Sequence, residues 1–252
     1  MRKIQPRNGV ALEALSRNFP ESSLTYLLVQ SGVTDPSQLM VVVQQVAEYM
    51  GVPILEPKES PDLVQVIRPK ETAPDQSSSG YKTKLRLHTE NPGEVNEPDF
   101  LVIGCVNNEE KAGTLLADPL AALEHLTPEE IELLQQEVFS VCEAEAFAAN
   151  AGRSQRAIIA RNIPVIKTGI DGSFDFAADF DEMVDVAPTD EHREALLRFE
   201  QECERVETSV VLDPGDVLVI KNRKVLHGRT AFELGDDIEN RRCLLREFVR
   251  SN

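Results

Sequence analysis

Only four histidines occur in the 252 residues: His88, His125, His192 and His227. His88 stands in Leu85-Arg86-Leu87-His88-Thr89-Glu90, whose alternation of apolar and polar residues reads as a strand. A strand sends alternate side chains to one face, so His88 and Glu90 can aim at the same metal ion. His227 closes a second strand-like run 139 residues later and is followed by Gly228. Two histidines and one carboxylate on one face, with open coordination positions, form the donor set of non-haem Fe(II) oxygenases. An H-x-E triplet is common by chance and gains weight only from its neighbours. Arg242 and Arg246 follow His227 by fifteen and nineteen residues. Four apart in a strand, they share a face, and a guanidinium there can hold the carboxylate of a 2-oxo acid in a bidentate fork. The same pair would equally suit a solvated edge strand. His125 and His192 fall in helical contexts and read as exposed or packed residues, not ligands.

These groups need elements to carry them. Residues 9–50 read as helical: Leu12, Leu15 and Phe19 recur at helical spacing, and Ser22-Ser23 can cap a stretch carrying Leu24, Leu27 and Leu28. Asp35-Pro36 opens a further helix that stops at Gly51. From residue 52 the period changes to short strands, at Ile54-Leu55 and Leu63–Ile67, followed by the polar loop 73–80. Strands follow at 85–88 and 100–106. Thr127-Pro128-Glu129-Glu130 signals a helix over 127–148. Thr189-Asp190 starts another, to about 207, and strands at 158–160, 165–166, 210–212, 217–220, 225–227 and 243–249 complete the chain. Helices first and strands on both sides of a helical insert predict a β-sandwich or barrel with helical support. No G-x-G-x-x-G or Walker-type loop is present, so a dinucleotide or P-loop site has no support.

The charge balance, 26 basic against 43 acidic residues, gives −17 at pH 7. Such a surface repels phosphate backbones and anionic membranes, which argues against nucleic acid or membrane as a partner. The four cysteines form no C-x-x-C pair and read as reduced, buried thiols. No apolar run approaches a membrane span, and Met1–Pro6 has no apolar stretch behind its basic residues, so a cytoplasmic protein is expected.

The stretch from Gln76 through Ser78 to His88-Thr89-Glu90, then Pro98-Asp99-Phe100, Gly113-Thr114 and Pro214 through His227-Gly228-Arg229, resembles in order the clavaminate synthase-like oxygenases of the TauD/TfdA superfamily. It is most similar to their amino-acid hydroxylase branch, the asparagine, arginine and lysine hydroxylases, and extends from about residue 74 to the end. The resemblance implies a mainly β protein with α elements: a double-stranded β-helix (jelly-roll) core at about 52–252, with helical inserts near 127–148 and 189–207. A helical N-terminal layer at about 1–50 completes one oxygenase domain, 1–252. It implies that His88, Glu90 and His227 bind Fe(II), and that Arg242 and Thr114 hold 2-oxoglutarate, with Arg241 a rival for Arg242. Arg246 would take the substrate α-carboxylate, Gln76 and Ser78 its backbone groups. Asp179 and Asp181, flanking Phe180, would hold a cationic side chain of arginine or lysine type, unless the acid-rich segment 171–191 is only a solvated loop. Glu182 and Asp185 read as surface charge.

The activity so implied is O₂-dependent hydroxylation of an L-amino acid coupled to decarboxylation of 2-oxoglutarate to succinate and CO₂. Glu90 argues against halogenation, whose catalysts lack this carboxylate, whereas desaturation or ring closure would use the same ligands. Asn91-Pro92-Gly93-Glu94 and Glu97 depart from the family pattern. They leave open a carrier-tethered, peptide or natural-product substrate, with or without a carrier-protein partner. Two other classes compete: a non-enzymatic β-sandwich binding module, and a cupin-like metal enzyme that needs no 2-oxo acid. Oligomeric state is not specified by any pattern in the chain.

Overall fold

The computed structural model describes residues 19–20, 22–56, 60–76 and 80–252, so Leu12, Leu15 and Ser78 lie outside the described residues. Two antiparallel sheets face each other. The first has the order β1 (Tyr26–Gln30), β12 (Asp216–Lys221), β5 (Phe100–Asn107), β14 (Cys243–Arg250) and β2 (Val52–Ile54), with β3 (Gln65–Ile67) also paired to β14. The second runs β11 (Thr208–Val211), β6 (Gly113–Ala117), β13 (Leu226–Arg229), β4 (Leu85–His88). This is a jelly-roll, in which strands distant in sequence pair in two facing sheets.

Strand parity divides the core into layers. In β5 and β14, Phe100, Val102, Leu245 and Val249 turn outward to meet helix α1 (Pro36–Met50) through Leu39, Val43 and Val46. Leu101, Ile103, Leu244 and Phe248 turn inward and meet Leu116 of β6 between the sheets. Gly104 lies under α1, where a Cβ would stand 2.6 Å from Val43 Cγ2, so glycine allows the close approach of helix and sheet. Asp35 caps α1 by accepting from the Gln38 amide, Pro36 occupies its first turn, and Gly51 ends it.

The outer face of the second sheet, with Leu87, Leu115 and Leu226, is covered by the inserted helices. These are α2 (Pro119–Leu123), α3 (Pro128–Gln135), α4 (Glu145–Asn150), α5 (Phe180–Met183) and α6 (Asp190–Val206). The amphipathic α6 supplies Leu196 and Phe199 to that layer. Two small ribbons, β7 (Phe139–Cys142) with β8 (Ile158–Ile163) and β9 (Ile166–Thr168) with β10 (Phe174–Phe176), complete the insert.

Two expectations are corrected. Leu24, Leu27 and Leu28 do not lie on a helix: Tyr26–Gln30 is an edge strand paired to β12 from Tyr26–Ile220 to Gln30–Asp216. Leu27, Leu28 and Val29 are all buried, so both faces are apolar and the run carries no period to separate strand from helix. The helix expected over 127–148 ends at Gln135. The capping box at Thr127 and Glu130 starts it as read, but Phe139, Ser140 and Val141 alternate buried and half-buried and pair with β8. A strand period replaces the helical one.

Candidate metal centre and substrate cleft

His88 and His227 lie directly opposite each other across the β4–β13 ladder, their ring centroids 4.3 Å apart. Glu90, two residues beyond His88, is aimed by the chain past the strand end. The buried Asn222 accepts from the Glu90 amide at 2.8 Å and donates to its carbonyl at 3.0 Å. Thr89 ties the same segment down by a backbone bond to Ala178. Glu90 Oε1 comes 3.4 Å from His227 Nε2 and 3.9 Å from His88 Nε2. One ligand atom from each of the three residues lies within 4.8 Å of the others, the spacing of a metal donor set. His88 Nδ1 contacts the Arg86 carbonyl at 2.9 Å; a carbonyl only accepts, so Nδ1 carries a proton, and Nε2 is the atom that gives up its proton to take a cation. The residues fit an Fe(II) ion in donor type, tautomer and convergence.

Their electrostatics express the crowding of a cation site. Burial alone would push His88 down, but the Glu90 carboxylate, helped by Asp179, holds it up at about 9. Burial and the His88 charge push His227 down to about 4. Glu90 is raised by burial, yet Arg246 and the two histidines outweigh this and hold it well below the usual carboxylate range.

The centre opens on a cleft of about 1370 Å³. Thr114, Arg242 and Arg246 border it, as do Gln76, Asp179 and Asp181 on the other walls. Arg242 is buried, and its Nε has no hydrogen-bond partner among the described residues. Burial pushes this guanidinium down to about 10, the signature of a cation lacking an anion. The rival Arg241 points away, donating to the Gly235 carbonyl and pairing with Glu71. Arg246 donates to Glu90 Oε1 at 2.8 Å and to Gln65 Oε1 at 2.6 and 2.9 Å. His125 is exposed, and the buried His192 packs on Phe139 and contacts Thr189 and Gln136.

The family described as "Taurine catabolism dioxygenase TauD, TfdA family" matches residues 26–247. The chain belongs to this family. An L-lysine 3-hydroxylase of Catenulispora acidiphila is 31% identical over 162 residues, 64% of this chain and 44% of that protein. Clavaminate synthase 2 of Streptomyces clavuligerus is 28% identical over 179 residues, 70% and 53% of the two chains. The chain thus spans about half the length of these curated relatives. The fold is shared with asparagine oxygenase, solved with Fe(II), hydroxyasparagine and succinate: TM-score 0.82 at 22% identity, covering 96% of this chain and 80% of that one.

Within this TauD-family cleft the acids are partitioned in a way the sequence did not disclose. Asp181 is 3.3 Å from Arg86, which also forms a bidentate pair with Glu200 of α6. Asp179 caps α5 by accepting from the Glu182 amide, and forms an isolated β-bridge with His88. Burial raises Asp179 to about 6, against the pull of His88. Glu182 is not surface charge as expected. It borders the cleft, and burial, reinforced by Asp179, raises it to about 9. Asp185 is exposed, 3.8 Å from Arg193. Gln65, Asn222, Arg86 and Glu182 were missed by sequence reasoning. Asn222 lay within a quoted motif, but nothing in the sequence tied it to Glu90. No helix among the described residues is long and apolar enough to cross a membrane.

Proposed function

We propose that the protein is an Fe(II)- and 2-oxoglutarate-dependent dioxygenase that hydroxylates an unactivated C–H bond of an L-amino acid with a basic side chain. The observation that carries this reading is that Arg242, a buried cation with no ion pair among the described residues, borders the same cleft as the converging His88, Glu90 and His227. A binding module that used the histidines only for packing has no need of either feature. A cupin-like enzyme without a 2-oxo acid leaves Arg242 unexplained.

In this reading His88, Glu90 and His227 would hold the iron. When bound, the iron would supply, with 2-oxoglutarate and O₂, the oxidising chemistry whose by-products are succinate and CO₂. Arg242 and Thr114 receive the distal carboxylate of 2-oxoglutarate. Arg246 turns from Gln65 to the substrate α-carboxylate while keeping Glu90, and Gln76 and Ser78 take the remaining backbone groups. Asp179 is the principal partner of the cationic side chain, with Asp181, already engaged by Arg86, assisting. A cation between Asp179 and Glu182 would relieve the burial that now keeps both acids from ionising freely. We read residues 1–252 as one oxygenase unit acting on a free amino acid. Its four buried, free cysteines support a cytoplasmic setting.

The test is anaerobic titration of metal-stripped protein with Fe(II) and 2-oxoglutarate, followed by succinate release on admitting air with L-lysine, L-arginine, L-asparagine or L-norleucine. A visible charge-transfer band and succinate release that L-lysine or L-arginine stimulates over L-norleucine are expected. Folded protein that gives no band overturns the reading.

A further inference from the structure

Two residues beyond His227, β13 carries a charged side chain that the reading above leaves without a role. A strand returns to the same face every second residue, so Arg229 shares the inward face of His227. The pairing with β6 is regular here, with His227 opposite Leu116 and Arg229 opposite Thr114. Gly228 between them lets β4 pass close, since a Cβ would stand 2.6 Å from the Leu85 carbonyl oxygen. Arg229 is buried and borders the cleft. Its Nη1 donates to the Thr230 carbonyl at 2.9 Å and its Nη2 to the Thr83 carbonyl at 3.2 Å.

Arg229 and Arg242 stand against the same ring, their guanidinium carbons 5.1 and 6.0 Å from the Phe232 centroid. Glu110, from the turn between β5 and β6, is the acid that acts on Arg242, and it spends an oxygen on the Arg242 backbone amide at 2.8 Å. Two buried cations on one side of a cleft form a field that favours an anion and disfavours a neutral group.

We propose that Arg229 is the second cation of the 2-oxo-acid pocket and sets its preference for a 2-oxo acid with a second carboxylate at its far end. The proposal rests on the oxygenase reading. Arg229 faces Thr114 across the ladder and Arg242 across the Phe232 ring. Its donors hold the Thr83 and Thr230 carbonyls, so it acts on the ligand through charge, with Arg242 forming the fork. Arg229 is therefore a specificity-determining residue that acts on the distal carboxylate and not on the metal-chelating end.

The experiment is calorimetric binding, under anaerobic conditions, to the Fe(II)-loaded full chain. The ligands are 2-oxoglutarate and 2-oxopentanoate, which carries a methyl group in place of the distal carboxylate. Arg229→Gln is expected to weaken 2-oxoglutarate about tenfold and leave 2-oxopentanoate unchanged, lowering the ratio of the two affinities by about tenfold. Arg229→Lys, which keeps the charge, is expected to hold that ratio within about threefold of the wild type even if its thermal midpoint falls. A purely structural Arg229 would weaken both ligands alike. An unchanged ratio in Arg229→Gln, or a lost ratio in Arg229→Lys, overturns the proposal. Should Arg229→Gln not fold, Arg229→Met, which also removes the charge, is measured in its place against the same two outcomes. Arg242→Gln separates the two levels: if it abolishes 2-oxoglutarate binding while Arg229→Gln leaves the ratio intact, the oxygenase reading stands and this inference falls. Failure of the wild type to bind 2-oxoglutarate overturns both.

Discussion

Replacing Glu90 by glutamine removes one charge and little volume, so its consequences can be worked from the contacts. In the metal-free protein Oε1 accepts from Arg246 at 2.8 Å and faces both histidine Nε2 atoms. Breaking a buried ion pair by removing one partner costs about 3–5 kcal/mol. The amide oxygen can still accept from Arg246, and Gln65 remains bound to it, so the lower end, about 3 kcal/mol, is expected. For a chain of this size that lowers the thermal midpoint by about 6–12 °C. The second effect is on metal. If loss of the anionic ligand weakens Fe(II) about 100-fold, metal at one hundred times the wild-type Kd stabilises the wild type by about 2.7 kcal/mol. The variant, then at its own Kd, gains only RT ln 2, about 0.4 kcal/mol. Anaerobic melts of stripped protein with and without Fe(II) should therefore show a rise of about 5–11 °C in the wild type and about 1–2 °C in Glu90→Gln. A variant that keeps the full metal shift would show that Glu90 is not a ligand. An unchanged metal-free midpoint would show that the Arg246 pair carries no net stability.

Three further outcomes follow from the same contacts. Glu247 faces α1 from β14, with Oε2 buried and unpartnered; burial, and then Glu48, raise it to about 7 from an unfolded value near 4.3. The native state then holds a proton that the unfolded state lacks, so stability is full below about pH 4.3 and declines as pH rises through about 7. After discounting for solvent screening, Glu247→Gln should gain about 1–2 kcal/mol at pH 8 and little at pH 4.5, read by melts at both values. Arg242→Met removes a buried cation, so the metal-free midpoint should rise by about 2–4 °C, roughly 1 kcal/mol, while calorimetry shows 2-oxoglutarate binding lost; a lowered midpoint would mean the guanidinium is already well compensated. Asp179→Asn keeps the α5 cap, since asparagine caps as well as aspartate, and should raise KM for L-lysine or L-arginine about tenfold with the thermal midpoint held; an unchanged KM removes Asp179 from the substrate site.

The metal ligands were legible because His88 and His227 both fall in strand-like runs of the sequence, and the ladder sets them face to face. The reason given for Glu90 was incomplete. β4 ends at His88, and Glu90 is aimed by Asn222, 132 residues away, not by strand period. Even spacing is also only part of why Arg242 and Arg246 share the cleft. Arg242 precedes β14, and the register with β5 shifts between Cys243 and Leu244. The same period-two rule, applied to His227 and Arg229, would have found a further inward arginine. Of the segments read wrongly, 24–28 pairs with a strand about 190 residues on and 136–144 with the next strand of the insert, and local periodicity reports neither partner.

The acid-rich segment shows where sequence reasoning must stop for a physical reason. Asp179, Asp181 and Glu182 are equivalent on paper: three acids within four residues, any two of which could hold a cation. What separates them is which is already neutralised, and that depends on charges brought from elsewhere. Arg86, from β4, comes within 3.3 Å of Asp181 and is itself held by Glu200 from α6. Arg156 spends its Nη1 on the Asp181 carbonyl and its Nε on that of Glu143, which keeps it from forming a close pair with Glu182. Asp179 and Glu182 are left as acids whose ionisation burial opposes. A residue's type sets what it can bind, but its unspent capacity is a property of the folded neighbourhood. A substrate's charge is therefore better read from the carboxylates left over once internal pairs are subtracted than from the number of acids in a motif.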